Sequence, residues 1–347
     1  MKRILTVTGS RSEYELLYPL LKRFENNKKF NLNILCCGSH LDKNFGNTLK
    51  DVKKDKFKNI FSLKTIGSKN NNIGIFNSYN LLSKEVSKIL LKKKIDLLLL
   101  LGDRFEAHAS ATAAFFLNVP IAHISGGDTS FGSIDEYFRN SISLMSKLHF
   151  VKTNKHKKKL LKLGINQKKI FNVGSLSNEN YIKKFDKVFL INKPFALVTF
   201  HPVTNSKNKN DNNLNHLLKS LNSFNKFNYL FTASNHDSGG EKINNELLKF
   251  VKKNKNCKFI HNLGRKLYYQ AMKECDFMIG NSSSGIIESM IYKKPSINIL
   301  PRQKGRQSNK NVINSNNNYN SIKKAIMTAI SKNFKNKCKI MDNIFYI

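Results

Sequence analysis

The chain of 347 residues lacks any apolar run long enough to cross a bilayer. Leu97–Leu101 and Ala113–Leu117 are short against the roughly 20 residues that a spanning helix needs. Lys2 and Arg3 open the chain, but the apolar run that begins at Ile4 breaks at Gly9, well short of a signal-peptide core. No membrane association is therefore expected, and a cytoplasmic location is. Cysteines are few: Cys36, Cys37, Cys257, Cys275 and Cys338 form no Cys-x-x-Cys pair, which reads as reduced thiols. No short repeat or coiled-coil pattern is present. No cluster of His or carboxylates has metal-ligand spacing, so neither a metal nor another cofactor is expected. Acidic residues are scarce, 23 against 60 basic ones, for a formal net charge of +37. Only eight of those sixty are Arg, and they are not interleaved with an aromatic platform of the kind a nucleic-acid surface uses. Lys and Asn dominate together, as an AT-rich coding sequence would produce. No nucleic-acid partner is expected; the charge would instead favour capture of a dianionic substrate.

What the sequence does have is alternation. In the first half, strand-like runs (Arg3–Thr8, Leu32–Cys36, Ile95–Leu101, Pro120–Ile124, His149–Val151) are separated by helical patterns. Glu13–Glu25, for example, carries Leu16, Leu17, Leu20, Leu21 and Phe24 at helical spacing. The second half repeats the plan, with strands at Phe195–Phe200, Tyr229–Thr232, Lys258–Ile260, Phe277–Ile279 and Ser296–Leu300. Its helices are expected at Leu214–Phe224, Lys242–Lys252, Leu267–Glu274 and Gly285–Tyr292, with a closing helix at Tyr319–Lys332. Such a pattern implies an α/β protein of GT-B-like architecture: two Rossmann-like domains whose parallel sheets face a central cleft. The expected boundaries are 1–180, 181–330 and a tail over 331–347, with a hinge in the polar segment Asn178–Lys193.

Ligands bind at the carboxyl ends of strands in open parallel sheets, so the residues after each strand are the candidates. After the first comes Thr8-Gly9-Ser10-Arg11-Ser12-Glu13, a Gly turn into a helix in which Arg11 offers a planar fork for phosphate. Gly102-Asp103-Arg104-Phe105-Glu106 follows an apolar strand and places a carboxylate at its mouth, suited to acid–base work. His123 ends the next strand, ahead of Ser125-Gly126-Gly127-Asp128. Asp135 and Arg139 are spaced to share one helix face. In the second half, His201-Pro202 follows a strand, and Gly280-Asn281-Ser282-Ser283-Ser284-Gly285 joins a strand to a helix start. The hydroxyls, exposed N–H groups and helix dipole there would stabilise a diphosphate, with Glu288 placed for ribose hydroxyls. The loop is neither a Walker A sequence nor Gly-x-Gly-x-x-Gly. Arg302 adds a cation after another strand.

Taken together, these pieces resemble the UDP-N-acetylglucosamine 2-epimerase family, and most closely its hydrolysing members, from about Arg3 to Arg306. Those that carry the resemblance are Gly102-Asp103-Arg104-Phe105-Glu106, His123-Ile124-x-Gly-Gly, Ile134-Asp135-Glu136-x-x-Arg139, His201-Pro202-Val203-Thr204, Gly280-Asn281-Ser282-Ser283-x-Gly285-x-x-Glu288 and Pro301-Arg302-Gln303-x-Gly305-Arg306. The resemblance implies anti elimination of UDP across C1 and C2 of the sugar, then water addition at C1 and protonation of C2 on the opposite face. It implies acid–base roles for Asp103, Asp135 and Arg139, and nucleotide or sugar contacts for Arg11, Arg104, His123, His201, Asn235, Ser282, Ser283, Glu288 and Arg302. A homodimer is likewise implied. Where family members often carry Glu, this chain has Ser125, a poor proton-transfer group, so Asp128 is a candidate for that role. The expected reaction converts UDP-N-acetylglucosamine to N-acetylmannosamine and UDP. The alternatives are a UDP-linked 2,4-diacetamido-2,4,6-trideoxy sugar of the legionaminic acid route, a non-hydrolysing epimerase, or a GT-B glycosyltransferase.

Overall fold

The computed structural model describes residues 1–347 except 43–46, 66–71, 181–190, 205–213 and 236. Most of the expected hinge segment thus lies outside the described residues. The chain divides into two compact units. The first is Met1–Asp128 with Asp135–Asn180 and Ile347; the second is Thr129–Ile134 with Tyr181–Tyr346.

The first unit runs β1 (Lys2–Thr8), α1 (Arg11–Glu25), β2 (Phe30–Cys36), α2 (Leu49–Lys54), β3 (Ile60–Ser62), α3 (Asn72–Lys92), β4 (Leu97–Leu101), α4 (Phe105–Phe116), β5 (Ile121–Ile124), α5 (Asp135–Met145), β6 (Leu148–Val151), α6 (Asn154–Lys162) and β7 (Ile170–Asn172). Its seven strands lie in the order β3-β2-β1-β4-β5-β6-β7, all parallel. Helices cover both faces, which is why central strand β4 is apolar at every position rather than at alternate ones. On one face Leu82, Val86 and Leu90 of α3 and the alanines of α4 pack on Leu5, Val7, Leu98 and Leu100. The other face receives Leu17 and Leu21 of α1 on Ile4, Ile34 and Leu99. Each such fully buried Leu or Ile contributes roughly 1.5–3 kcal/mol relative to an exposed one. Ser10 caps α1 by accepting the N–H of Glu13.

The second unit runs β8 (Phe195–Thr199), α7 (Leu214–Asn222), β9 (Asn228–Thr232), α8 (Gly240–Lys253), β10 (Cys257–Ile260), α9 (Gly264–Glu274), β11 (Phe277–Gly280), α10 (Ser284–Ile287), β12 (Ser296–Ile299), β13 (Val312–Ser315), α11 (Tyr319–Ile330) and α12 (Lys332–Ile340). Its six parallel strands lie in the order β10-β9-β8-β11-β12-β13. Leucines of α7 and Ile322 and Ile326 of α11 pack on one face, and Ala271 and Met272 of α9 on the other. The segment set apart as a tail is not loose: α12 buries Cys338, and Phe345 packs against Ile286 and Ile287.

Both sheets share one plan. Strand order reverses between β1 and β4 in the first unit, and between β8 and β11 in the second. A crevice opens at the carboxyl ends of the strands at such a switch point. The candidate residues sit there: Gly9–Arg11 after β1, Asp103 after β4, His201 after β8 and Asn281–Ser283 after β11.

Candidate active site

In the first unit, Asp103 follows β4 by two residues with its side chain 21% exposed. One carboxylate oxygen accepts from both Nε (2.8 Å) and Nη2 of Arg139. Arg139 is 1% exposed, and its Nη1 donates to Glu136 (2.6 Å) and to the Asp128 carbonyl (3.1 Å). Burial alone would lower the guanidinium pKa, but the charges of Asp103, Asp128 and Glu136 outweigh it and raise it, so the cation is permanent. Lys159 closes the network, donating to the other Glu136 oxygen (2.6 Å) and to the Asp128 carbonyl (2.7 Å). Arg139 lies one turn along the helix from Asp135, as expected, and Asp135 sits in the first turn of α5, where the helix dipole favours a carboxylate.

Two candidates beside this network, Asp128 and His123, are engaged by buried neighbours. Asp128, nominated to stand in for the family's Glu, is 2% exposed; its carboxylate takes the Lys152 ammonium at 2.7 Å and has His156 at 3.5 Å. The charge of Asp128 is thus compensated by a buried cation. Ser125 itself has φ +68, a strained conformation for a residue with a Cβ, and its N–H donates to the Phe150 carbonyl at 2.8 Å. His123, nominated as a ligand contact, is fully buried. Its Nε2 donates to the Gly102 carbonyl (2.7 Å) and its Nδ1 accepts from Ser143 (3.0 Å). Burial lowers its pKa to about 4, so the ring is neutral.

Beside this network lies a second one. Arg104 is held bidentately by Glu106, both contacts at 3.1 Å, with Glu13 at 3.9 Å. It organises the β1–α1 turn rather than standing open as an anion clamp. Glu13 accepts from the Gly9 N–H (2.9 Å) and the Ser10 hydroxyl (3.2 Å). Arg11, the first residue of α1, lies against Glu15 at 3.5 Å. Burial, with the added charge of Glu106 and against that of Arg104, pushes the Glu13 carboxyl up from 4.5 to about 8. Between those values the folded chain keeps a proton that the unfolded chain releases, so stability falls as pH rises through the window. Glu13→Gln removes the ionisation. Melting curves at matched pH are expected to show the variant gaining on the wild type as pH rises from 4.5 to about 8, then running parallel above.

In the second unit, the β8–β11 switch point is built on Asn281. Its side chain accepts the His201 N–H (2.7 Å) and donates to the His201 carbonyl (2.8 Å), which fixes the His201 backbone. His201 Nδ1 accepts the Asn235 N–H at 3.0 Å, which puts the ring proton on Nε2. The Asn235 amide donates to Asp237 (2.6 Å). Gly280 makes this approach possible: at φ +147, a Cβ there would lie 1.8 Å from the Thr199 carbonyl oxygen. Ser282 and Ser284 hydroxyls meet at 3.0 Å, and Tyr268 reaches Ser284 at 2.5 Å.

Here too the structure corrects the sequence. The helix expected over Gly285–Tyr292 is only four residues, Ser284–Ile287, followed by a 3-10 turn at Ser289–Tyr292. So short a helix has little macrodipole, which leaves the hydroxyls and N–H groups of Ser282 and Ser283 as the candidates for meeting an anion there. Glu288 is where the two turns meet. Arg302 is 7% exposed and is spent internally, on the Pro202 carbonyl (3.1 Å), the Asn281 carbonyl (3.5 Å) and Asp237 (3.3 Å). It braces the loop rather than presenting a free cation. Among the described residues no group of three His, Cys, Asp or Glu is placed to hold a metal, and no helix is long and apolar enough to cross a membrane.

The sequence motifs include Glu136 without giving it a role, and pass over Lys152, Lys159 and Ser143. The role of Glu136 was visible in principle, three residues before Arg139 on the same helix. The two lysines carried no signal in so lysine-rich a chain.

Two parallel-sheet Rossmann-like units, each with its polar residues gathered at the switch point, define a GT-B-like protein. The structural comparison agrees. A UDP-N-acetylglucosamine 2-epimerase from Methanocaldococcus jannaschii, solved with UDP-N-acetylglucosamine and UDP, superposes with a TM-score of 0.82 at 21% identity, over 100% of this chain and 96% of that one. The family model for UDP-N-acetylglucosamine 2-epimerase matches residues 22–346, and the chain belongs to that family. A Campylobacter jejuni protein named GDP/UDP-N,N'-diacetylbacillosamine 2-epimerase (hydrolyzing) is 36% identical over 96% of this chain and 89% of its own. A Legionella pneumophila protein named UDP-N,N'-diacetylbacillosamine 2-epimerase (hydrolyzing) is 29% identical over 96% and 90%. A Neisseria meningitidis UDP-N-acetylglucosamine 2-epimerase is 30% identical over 95% and 88%.

Proposed function

We propose that the protein is a hydrolysing 2-epimerase of a UDP-linked 2,4-diacetamido-2,4,6-trideoxy sugar. It would release UDP and the free sugar with C2 inverted. The observation that carries the reading is Asp103, a partly exposed carboxylate at the switch point, aimed by a buried guanidinium that cannot lose its charge. The C2 hydrogen is a very weak acid. Its removal needs an aligned base while the C1–O bond breaks and the electron pair leaves with the diphosphate. The glycal that results takes hydroxide from water at C1 and a proton at C2 on the opposite face. Asp103 serves as the acid–base group, with Arg139 setting its direction and Asp135 nearby on α5. In the second unit His201 Nε2–H and the Ser282 and Ser283 hydroxyls and N–H groups bind the diphosphate, with Glu288 and Asn235 toward the nucleoside. Homodimerisation and a cytoplasmic location belong to the same reading.

The diacetamido sugar is favoured over UDP-N-acetylglucosamine by the 36% identity to the Campylobacter relative and by Ser125, small where family members often carry Glu. The test compares the two sugar nucleotides with released UDP as the readout. A higher kcat/KM is expected for the diacetamido substrate. Preference for UDP-N-acetylglucosamine would reverse the substrate assignment. An epimer that stays attached to UDP would defeat the hydrolytic step.

A further inference from the structure

Arg139 explains where the Asp103 carboxylate points, but not what fixes the peptide from which it projects. Asp103 lies in the short loop between β4 and α4, next to Gly102 at φ +75. Both polar groups of Gly102 are tied to neighbouring residues of β5. Its N–H donates to the Ile124 carbonyl at 2.9 Å, and its carbonyl, part of the peptide bond to Asp103, accepts His123 Nε2–H at 2.7 Å. The imidazole is held from its other side by Ser143, whose hydroxyl donates to Nδ1 at 3.0 Å. Ser143 lies on α5, four residues beyond Arg139 and on the same face. Gly126 leaves room for that contact: a Cβ there would come within 2.8 Å of the Ser143 oxygen and 3.1 Å of His123 Nδ1.

The contacts close a circuit. From the Asp103 carboxylate it passes to Arg139, along one turn of α5 to Ser143, through the ring of His123 to the Gly102 carbonyl, and back to the Asp103 backbone. We propose that His123 is a positioning residue for the reaction: its Nε2–H, the tautomer that the Gly102 carbonyl requires, with the ring held from behind by Ser143, fixes the Gly102–Asp103 peptide so that the carboxylate meets the substrate in one orientation. Burial alone requires both nitrogens to be bonded; it is the choice of partners, one on the loop that carries Asp103 and one on the helix that carries Arg139, that points to positioning. The neutral ring suits this role, since it offers one donor and one acceptor in fixed places. The inference rests on the acid–base reading of Asp103.

The test uses the full chain carrying His123→Gln, His123→Asn or Ser143→Ala. Gln can set an N–H where the imidazole Nε2 stands; Asn reaches only the Nδ1 position. His123→Asn is expected to lower kcat about ten- to a hundred-fold, the scale of a slightly misplaced catalytic group, with KM changed by no more than about twofold. His123→Gln is expected to recover most of that loss, and Ser143→Ala to fall between wild type and His123→Asn in kcat with KM unchanged. Wild-type kcat in a folded His123→Asn, or a His123→Gln no better than His123→Asn, would overturn the proposal. Should His123→Asn not fold, Ser143→Ala decides, and wild-type kcat in it is fatal to the idea. Asp103→Asn run alongside separates the two failures. If it retains turnover, the reading of Asp103 is wrong; if it is inactive while the His123 variants are normal, only the positioning role falls.

Discussion

Asp103→Asn is expected to lower turnover roughly a hundred- to ten-thousand-fold, the span for loss of an acid–base group, with UDP affinity unchanged. The substitution preserves shape. An amide oxygen can still accept from Arg139, so the direction of the side chain is kept and the ability to take a proton is lost. The fold is expected to tolerate it, because Arg139 retains Glu136 at 2.6 Å and is not left as an isolated buried cation. Two measurements check the result. Released UDP gives the turnover, and solvent deuterium at C2 of the released sugar reports the proton exchange itself. Wild type is expected to carry deuterium at C2, and the variant to show both signals falling together. Turnover near wild type would take Asp103 out of the chemistry, whatever its place at the switch point.

Much of this arrangement was legible in the sequence. Central strand β4 could be read because burial on both faces demands apolar residues at every position, as in Leu97–Leu101. The edge strands β3 and β13, and the short β7, were not read. They are three or four residues long and half exposed, so Ser62, Asn172 and Asn314 can occupy them and blur the pattern. The second-unit helix was read too long for a related reason. Ile286, Ile287 and Met290 keep a helical spacing, yet the chain tightens into a 3-10 turn and leaves it at Lys293 with φ +55. Apolar spacing reports which side chains are buried, and both kinds of turn bury the same ones. At the site, Asp103 and Arg139 could be found because a strand end and a helical motif point to them. Which cations a carboxylate would meet could not. The pairing of Asp128 with Lys152 joins residues 24 apart, and that of Arg302 with Asp237 joins residues 65 apart. Position relative to a strand places a residue at the mouth of a sheet, but does not say whether its charge is already spent on a neighbour.

Arg139→Met is expected to cost both stability and activity. The side chain is buried and compensates Asp103 and Glu136 at once. Removing one partner of a buried ion pair typically costs about 3–5 kcal/mol, because the remaining charge stays desolvated. For a unit of this size that is a fall in melting temperature on the order of 10 °C. Lys159 still serves Glu136 at 2.6 Å, so the uncompensated burden falls mainly on Asp103, the group whose orientation the reaction needs. Arg139→Lys separates charge from geometry. A lysine restores a positive charge but not the planar fork that binds Asp103 through two nitrogens while reaching Glu136 with a third. It is therefore expected to recover more of the melting temperature than of the turnover. The double variant Asp103→Asn with Arg139→Met completes the argument. If Arg139 acts on the chemistry only through Asp103, the pair behaves as a unit. Adding Arg139→Met to Asp103→Asn should then cost little further turnover, although each alone costs a great deal. Independent, multiplying losses would mean that Arg139 also touches the substrate and is more than the holder of a carboxylate.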